Sequence, residues 1–238
     1  MEYVLEVKNV TKQFDTFRLD NISFNLEPGY IMGFIGSNGA GKSTTIKLIM
    51  NLIKKNSGEI KVFGKDHIKY EKEIKERIGF VYDESYFYED LSITQMKNIV
   101  ASFYKAWDDQ QFRKYIKEFD LDPKLKIKKL SKGMKMKLSL ALALSHHADL
   151  IIMDEPTSGL DPLVRKFLLE EIETISKRDK TSFLFSSHII SDLQDIAHSI
   201  IILKNGRIIY YSSVDELLNR YPKDKKFDDI VLSLLEGG

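Results

Sequence analysis

One stretch constrains this chain more than any other: Gly36-Ser37-Asn38-Gly39-Ala40-Gly41-Lys42-Ser43-Thr44. It fits G-x-x-x-x-G-K-[ST], the pattern of a phosphate-binding loop. Gly39 and Gly41 let backbone N–H groups converge on phosphate oxygens with no Cβ in the way. In that pattern Lys42 reaches the outer phosphates as a point charge and the Ser43 hydroxyl meets a Mg²⁺ ion. The flanks agree with the motif. Tyr30 to Ile35 reads as a short buried strand entering the loop, and Thr44 to Leu52 as a helix leaving it with its positive end on the phosphates. A loop that only turns the chain would need neither the Lys-Ser pair nor these flanks.

The bulk numbers exclude several classes. With 238 residues, 43% hydrophobic and 30% charged, the chain can bury a full core. Thirty-six basic residues against 35 acidic leave a net charge of +1, so charge alone makes no case for a nucleic-acid or membrane-surface binder. The lack of cysteine excludes disulfides and thiol catalysis. Met1-Glu2-Tyr3-Val4-Leu5-Glu6 carries acids where a signal peptide needs a basic region, and no apolar run approaches the roughly 18–20 residues of a membrane span. Membrane work would need a partner that does the spanning.

In chain order, residues 3–7 and 20–26 alternate like half-buried strands. Short strands are expected at 59–63 and 78–81, with a charged helix at 71–77 between them. From about Ser92 to Ser145 the alternation stops. Ser92 with Gln95 makes a capping box, Asp108 opens a second helix, and a third runs on from Ser131. Strands resume at Leu150–Asp154, Ser182–Ser186 and Ile200–Leu203, with helices over about 162–176 and 190–197. Asn205-Gly206 turns the last strand into a hairpin. These readings add up to an α/β fold: a P-loop NTPase core with a mixed sheet, an N-terminal antiparallel β ribbon and a helical subdomain inserted over about 92–146. A short helical tail follows over about 212–238, all within one domain spanning 1–238.

A second anchor is Asp154-Glu155, at the end of an apolar strand. Adjacent acids there are costly unless a cation or donors satisfy them. Asp154 suits a Mg²⁺ opposite Ser43, and Glu155 stands at the mouth of the sheet, where an active-site carboxylate is expected. Three further segments follow the phosphate loop: Leu130-Ser131-Lys132-Gly133-Met134, then Asp154-Glu155-Pro156-Thr157-Ser158-Gly159-Leu160-Asp161-Pro162, then Ser187-His188. In this order they resemble an ABC-type ATPase over about residues 2–215. The resemblance implies an ATP- and Mg²⁺-dependent subunit that closes on a second ATPase subunit, the same chain or a paralogue. Ser131, Lys132 and Gly133 would then contact ATP in trans. Glu155 would be the general base, His188 the residue that senses the outer phosphate, and Ser158, Gly159, Leu160 and Asp161 the loop linking the two sites. Phe14 falls where the family stacks an aromatic ring on adenine, with plain packing as the alternative.

The chain departs from the family pattern at Asp83, where a Gln is usual. Asp83 reads either as a Mg²⁺ ligand or water holder, or as a solvated turn acid. Lys132 and Met134 replace a Gly and a Gln, a form that looks like single-domain bacterial exporter ATPases. The lysines from 124 to 137 lack interleaved aromatics and read as a solvated face, so no nucleic acid is expected. His146-His147 reads as a helix end rather than a metal site. Tyr82 to Leu91 gathers Tyr82, Tyr86, Phe87 and Tyr88 among Asp83, Glu84, Glu89 and Asp90. In the family this segment borders the groove for a membrane subunit, so Tyr86, Phe87 and Tyr88 are the candidate docking residues. The leading expectation is an exporter ATPase at the cytoplasmic face of the cell membrane, with amphipathic or antimicrobial peptides as the cargo guess. A soluble ABC-type ATPase acting on ribosome or DNA is the alternative, although the chain has one phosphate loop and no sustained heptads between Lys42 and Asp154. A P-loop kinase leaves Leu130–Met134 unexplained.

Overall fold

The computed structural model describes residues 3–83 and 86–237; Glu84 and Ser85 of the aromatic segment, and Met1, Glu2 and Gly238, lie outside it. The chain opens with β1 (Leu5–Gln13) and β2 (Arg18–Leu26), paired antiparallel. β1 runs well past the alternating residues 3–7. Its pairing shifts register between Val7 and Val10 and again before Lys12, and Asn9 takes a positive φ of 51°. Bulges of this kind break the two-residue period, so the pattern ends while the strand continues. β3 (Ile31–Ile35), α1 (Lys42–Ile49), β4 (Ser57–Val62), β5 (Lys65–Asp66) and α2 (Glu71–Lys75) follow. β4 pairs with β1, giving an antiparallel sheet in the order β2-β1-β4-β5.

After β6 (Ile78–Tyr82) come α3 (Ile93–Ala101), α4 (Asp109–Glu118) and α5 (Lys132–Leu144). Each start is capped as its sequence demands. Ser92 and Gln95 form the reciprocal capping box on α3, Asp108 accepts from Gln110 and Gln111 N–H, and Ser131 Oγ accepts from Met134 N–H. β7 (Leu150–Asp154), α6 (Pro162–Asp179), β8 (Ser182–Ser187) and α7 (Ser191–Gln194) rebuild the α/β pattern. β9 (Ser199–Lys204) and β10 (Arg207–Ser213) form the hairpin, and α8 (Val214–Asn219) and α9 (Phe227–Gly237) end the chain. Asn205 and Gly206 both have positive φ, 49° and 76°, as a two-residue hairpin turn requires. Gly206 also meets two other parts of the fold: its N–H donates to Ala40 O, and its carbonyl accepts from Asp20 N–H.

The second sheet runs β10-β9-β3-β8-β7-β6, parallel except at β9-β10. β3, β7 and β8 are buried along almost their whole length, which explains the near-continuous apolar sequences of β3 and β7; β8 buries Ser182, Ser186 and Ser187 beside its apolar centre. Successive side chains on a strand point to opposite faces. Ile31, Ile151, Met153, Phe183 and Phe185 therefore enter one core with α3 to α7 and α9. Met32, Phe34, Leu150, Ile152 and Leu184 enter the other, against α1 and the antiparallel sheet. Each such side chain removed from water contributes about 1.5–3 kcal/mol.

His146 departs from the expectation of an exposed helix-end cation. α5 ends at Leu144, and the His146 ring is buried, stacked on Tyr104 with centroids 3.8 Å apart. Its Nδ1 lies 3.2 Å from Glu76 O, while Nε2 has no partner among the described residues. Burial drives the imidazole down from 6.5 to about 4. The unfolded chain therefore takes a proton that the folded chain refuses as pH falls below 6.5. Stability contributed by the neutral ring is complete above that pH and is lost toward pH 4, by about 2 kcal/mol between pH 7 and 5. Urea unfolding at the two pH values should show this loss in the wild type, and a correspondingly smaller one in His146→Gln.

Candidate functional site

Four of the parallel strands, β3, β6, β7 and β8, end along one edge. Ile35 is in register with Ser187, Asp154 with Ser186, and Tyr82 with Asp154. Residues just beyond those ends therefore meet in space although the sequence scatters them, as at the carboxyl edge of open α/β sheets generally. The phosphate loop leaves β3 there. Ala40 N–H donates to Ser37 O, and Gly41, with φ 114°, caps α1 in a conformation that an L side chain rarely adopts. A Cβ on Gly41 would stand 2.8 Å from Leu19 and 3.2 Å from Phe17. Ser37, Asn38 and Gly39 are exposed, Ala40 and Lys42 buried, and Ser43 and Thr44 half-buried. The exposed turn and the α1 N-terminus form a cradle open to an anion.

Lys42 is 5% exposed. Its Nζ donates to Gly36 O at 2.6 Å and stands 3.0 Å from Glu155 Oε1. That oxygen is buried and accepts no hydrogen bond of good geometry among the described residues, so the contact is ionic rather than directional. Glu155 takes a left-handed backbone, φ 52°, which costs about 1–3 kcal/mol for a residue of this kind. The conformation is held from two sides. Glu155 N–H donates to Ser186 Oγ and Ser186 O, and Ser158 N–H closes a turn onto Glu155 O. Ser186 Oγ in turn donates to Asp154 Oδ1 at 2.6 Å. His188 completes the line: its N–H donates to Glu155 Oε2, and its ring Nδ1 lies 2.6 Å from the same oxygen. Lys42, Glu155 and His188 thus form one chain of contacts, and its last member is exposed.

Asp83 follows the register pair of Tyr82 with Asp154, so it lies beside the Asp154-Glu155 step. Burial pushes the neighbouring Tyr82 phenol up, and the charge of Asp154 adds to the shift. Phe14 is part-exposed on a tight turn closed by Phe14 N–H to Phe17 O, with Lys12 Nζ 5.1 Å from its ring. Because Phe17 borders Gly41, this turn lies beside the phosphate loop.

The Ser131–Gly133 segment is brought elsewhere. A Cβ on Gly133 would stand 2.7 Å from Val164, and one on Gly159 3.1 Å from Lys132 Nζ. The start of α5 therefore rests on the Ser158–Asp161 loop and the start of α6. No hydrogen bond or ion pair joins it to the phosphate loop among the described residues. Asp161 caps α6 by accepting from Leu163 and Val164 N–H. The lysines nearby are partly engaged within the chain: Lys128 pairs with Asp90, Lys135 with Glu89, and Lys137 Nζ sits 4.1 Å from the Phe167 ring centroid.

A family model described as ABC transporter matches residues 19–158. The chain belongs to the ABC transporter family. The likeness to known proteins extends over nearly its whole length. It is 33% identical to the bacitracin transport ATP-binding protein BcrA of Bacillus licheniformis, over 95% of this chain and 75% of that protein. It is 34% identical to the ABC-type transporter ATP-binding protein EcsA of Bacillus subtilis, over 97% and 96%. A solved ATP-binding subunit of an ABC transporter, 28% identical, superposes with a TM-score of 0.85 over 97% of this chain and 99% of the other. This ABC subunit binds ATP and is an ATPase. No described helix is long and apolar enough to cross a membrane.

Ser186, Thr157, Arg165 and Asp192 were not singled out in the sequence, yet they hold the site's limbs together. Thr157 Oγ1 donates to Asp192 Oδ2 at 2.6 Å, and Arg165 bonds Asp192 Oδ1. The positions of Ser186, beside Ser187-His188, and of Thr157, inside the Asp154–Pro162 segment, offered a clue. A last feature of this ABC ATPase lies away from the phosphate loop: an apolar groove of about 250 Å³ between β6 and the inserted helices. Phe87 packs half-buried against the core there, while Tyr86 and Tyr88 are 80% and 65% exposed.

Proposed function

We propose that this chain is the ATP-hydrolysing subunit of a bacterial exporter, working in an ATP-dependent pair beneath a separate membrane subunit. The Lys42–Glu155–His188 line at the carboxyl edge carries the reading. Bound Mg²⁺–ATP supplies the phosphoryl group and a second source of positive charge. The open turn of Ser37, Asn38 and Gly39, with the α1 N-terminus, fits the phosphates, and Phe14 beside it fits the adenine. Ser43 and Asp154 are a hydroxyl and a carboxylate, the oxygen donors that Mg²⁺ accepts alongside phosphate and water; Asp83 adds a third candidate.

Lys42 then exchanges its contacts with Gly36 O and Glu155 for phosphate oxygens. That leaves Glu155 Oε1 free to accept a proton from the attacking water, with Oε2 still held by His188. Among the described residues no hydrogen bond or ion pair links Ser131, Lys132 or Gly133 to their own phosphate loop, and they rest on the Ser158–Asp161 loop, which supports a role toward a partner's nucleotide. Export, and amphipathic or antimicrobial peptides as cargo, draw support from the likeness to a bacitracin transport protein. The site of work is then the cytoplasmic face of the cell membrane.

With Mg²⁺ present, Lys42→Ala should lose ATP binding. Glu155→Gln should bind ATP with turnover reduced at least about a hundredfold, because an amide cannot act as a base. Near-normal hydrolysis by Glu155→Gln in a phosphate-release assay would remove Glu155 from that role.

The second expectation concerns pairing. Glu155→Gln with ATP should elute as a dimer, and adding Ser131→Arg should return it to monomer. Light scattering on the eluting peak decides, and equal dimerisation by both proteins excludes a trans contact through Ser131.

The aromatic groove supports docking of the membrane subunit. Because Glu89 and Asp90 are answered by Lys135 and Lys128 inside the chain, apolar contact is the larger part, and salt should weaken docking less than four unpaired acids would. Phe87→Ala with Tyr88→Ala should keep the ATPase rate of the isolated subunit and lose the membrane subunit in a pull-down. Equal recovery with a folded double variant eliminates this groove.

A further inference from the structure

The carboxylate of Asp192 has no exposed surface, and both of its oxygens are engaged. Thr157 Oγ1 donates to Oδ2 at 2.6 Å, while the Arg165 guanidinium holds Oδ1. Arg165 also donates to Ser191 Oγ at 3.0 Å. A buried ion pair adds little net stability, because desolvation offsets much of its attraction. What this pair does supply is a definite geometry between the two stretches of chain it joins.

Those stretches are the two limbs of the hydrolytic site. Thr157 stands two residues beyond Glu155, inside the turn that Ser158 N–H closes onto Glu155 O. Arg165 lies in the first turn of α6 and donates its N–H to Asp161 O, so it shares the Ser158–Asp161 loop. Asp192 is on the opposite limb, four residues beyond His188. Its helix, α7, spans only Ser191–Gln194 and has no side-chain cap. Leu193 seats that helix in the core, where it packs against α9.

Strand pairing between the limbs ends at Asp154 and Ser186. Beyond that point, backbone bonds from Glu155 N–H to Ser186 O give way to side-chain ties: Glu155 with His188, and Asp192 with Thr157 and Arg165. The first tie reaches exposed surface at His188 and involves a strained residue; in the second, Asp192 and Thr157 are buried and Arg165 is partly exposed. Low dielectric around the Asp192 carboxylate strengthens the charge-assisted hydrogen bonds it accepts.

We propose that Asp192 is a positioning residue for ATP hydrolysis: it holds the His188 limb in register with the Glu155 limb and couples that pair to the Ser158–Asp161 loop. This rests on the roles given above to Glu155 and His188. The strap carries geometry and touches no reacting atom. Its loss should therefore slow turnover while nucleotide binding, which belongs to the phosphate loop and the Phe14 turn, stays in place.

The test is steady-state ATPase kinetics of the full chain with Mg²⁺–ATP, alongside the affinity for a fluorescent ATP analogue and the melting temperature. Asp192→Asn should lower kcat about tenfold or more with KM and analogue affinity within about twofold of wild type. Thr157→Val, which removes one hydroxyl at nearly constant volume, should give a smaller kcat loss of the same kind. The double variant should be no slower than Asp192→Asn, because both changes break one shared contact. A wild-type kcat for folded Asp192→Asn overturns the proposal, as does a loss confined to KM or to the folded fraction. If Asp192→Asn does not fold, Thr157→Val decides alone, and an unchanged kcat there overturns it. Glu155→Gln run in parallel separates the two readings. If Glu155→Gln still hydrolyses ATP, the base assignment fails; if it is inactive while Asp192→Asn is normal, only the strap fails.

Discussion

The buried ammonium of Lys42 is the contact on which the rest of the site depends. A cation at 5% exposure costs several kcal/mol unless it is answered, and the answers come from two distant parts of the chain. Gly36 O belongs to its own loop, while Glu155 comes from the far side of β8. The Lys42–Glu155 contact therefore ties the strand–loop–helix proposed to receive phosphate to the strand end that carries the acid. It also accounts for a backbone that would otherwise be hard to justify. Glu155 sits in a left-handed conformation, and that turn, with Ser186 beneath it, is what delivers the carboxylate to Lys42 and His188 together.

The supports of this site are graded by depth. The deepest is the parallel sheet, whose central strands supply both cores and set where their ends fall. Above it lies a layer of buried polar ties: Ser186 to Asp154 and Glu155, and Asp192 to Thr157 and Arg165. Outermost are the exposed groups, His188, Ser131 and the phosphate-loop turn, which are available to nucleotide or to a second subunit. A rigid base with exposed working groups lets a site close on a partner without rebuilding its own geometry.

The inserted helices answer to both ends of the molecule. α5 begins against the Ser158–Asp161 loop and packs along β6, beside the groove that holds Phe87. α5 therefore touches both the Ser158–Asp161 loop and the aromatic groove.

Much of this was legible in one dimension because it is local. The phosphate loop, the capping box at Ser92 and Gln95, the helix starts at Asp108 and Ser131, the Asn205-Gly206 turn and the apolar run of β7 each depend on a few neighbouring residues. Period and capping chemistry read them directly. The bulged half of β1 escaped because a bulge erases the period that identifies a strand. The tertiary structure alone decided which groups meet. Strand order placed Glu155 on Lys42, burial turned His146 into a neutral core ring, and Asp192 became a strap because two chain segments converge on it. None of these leaves a local trace, since a carboxylate in a sequence reads the same whether it will face water or be buried against a guanidinium. Only the fold supplies the dielectric and the partner that distinguish the two.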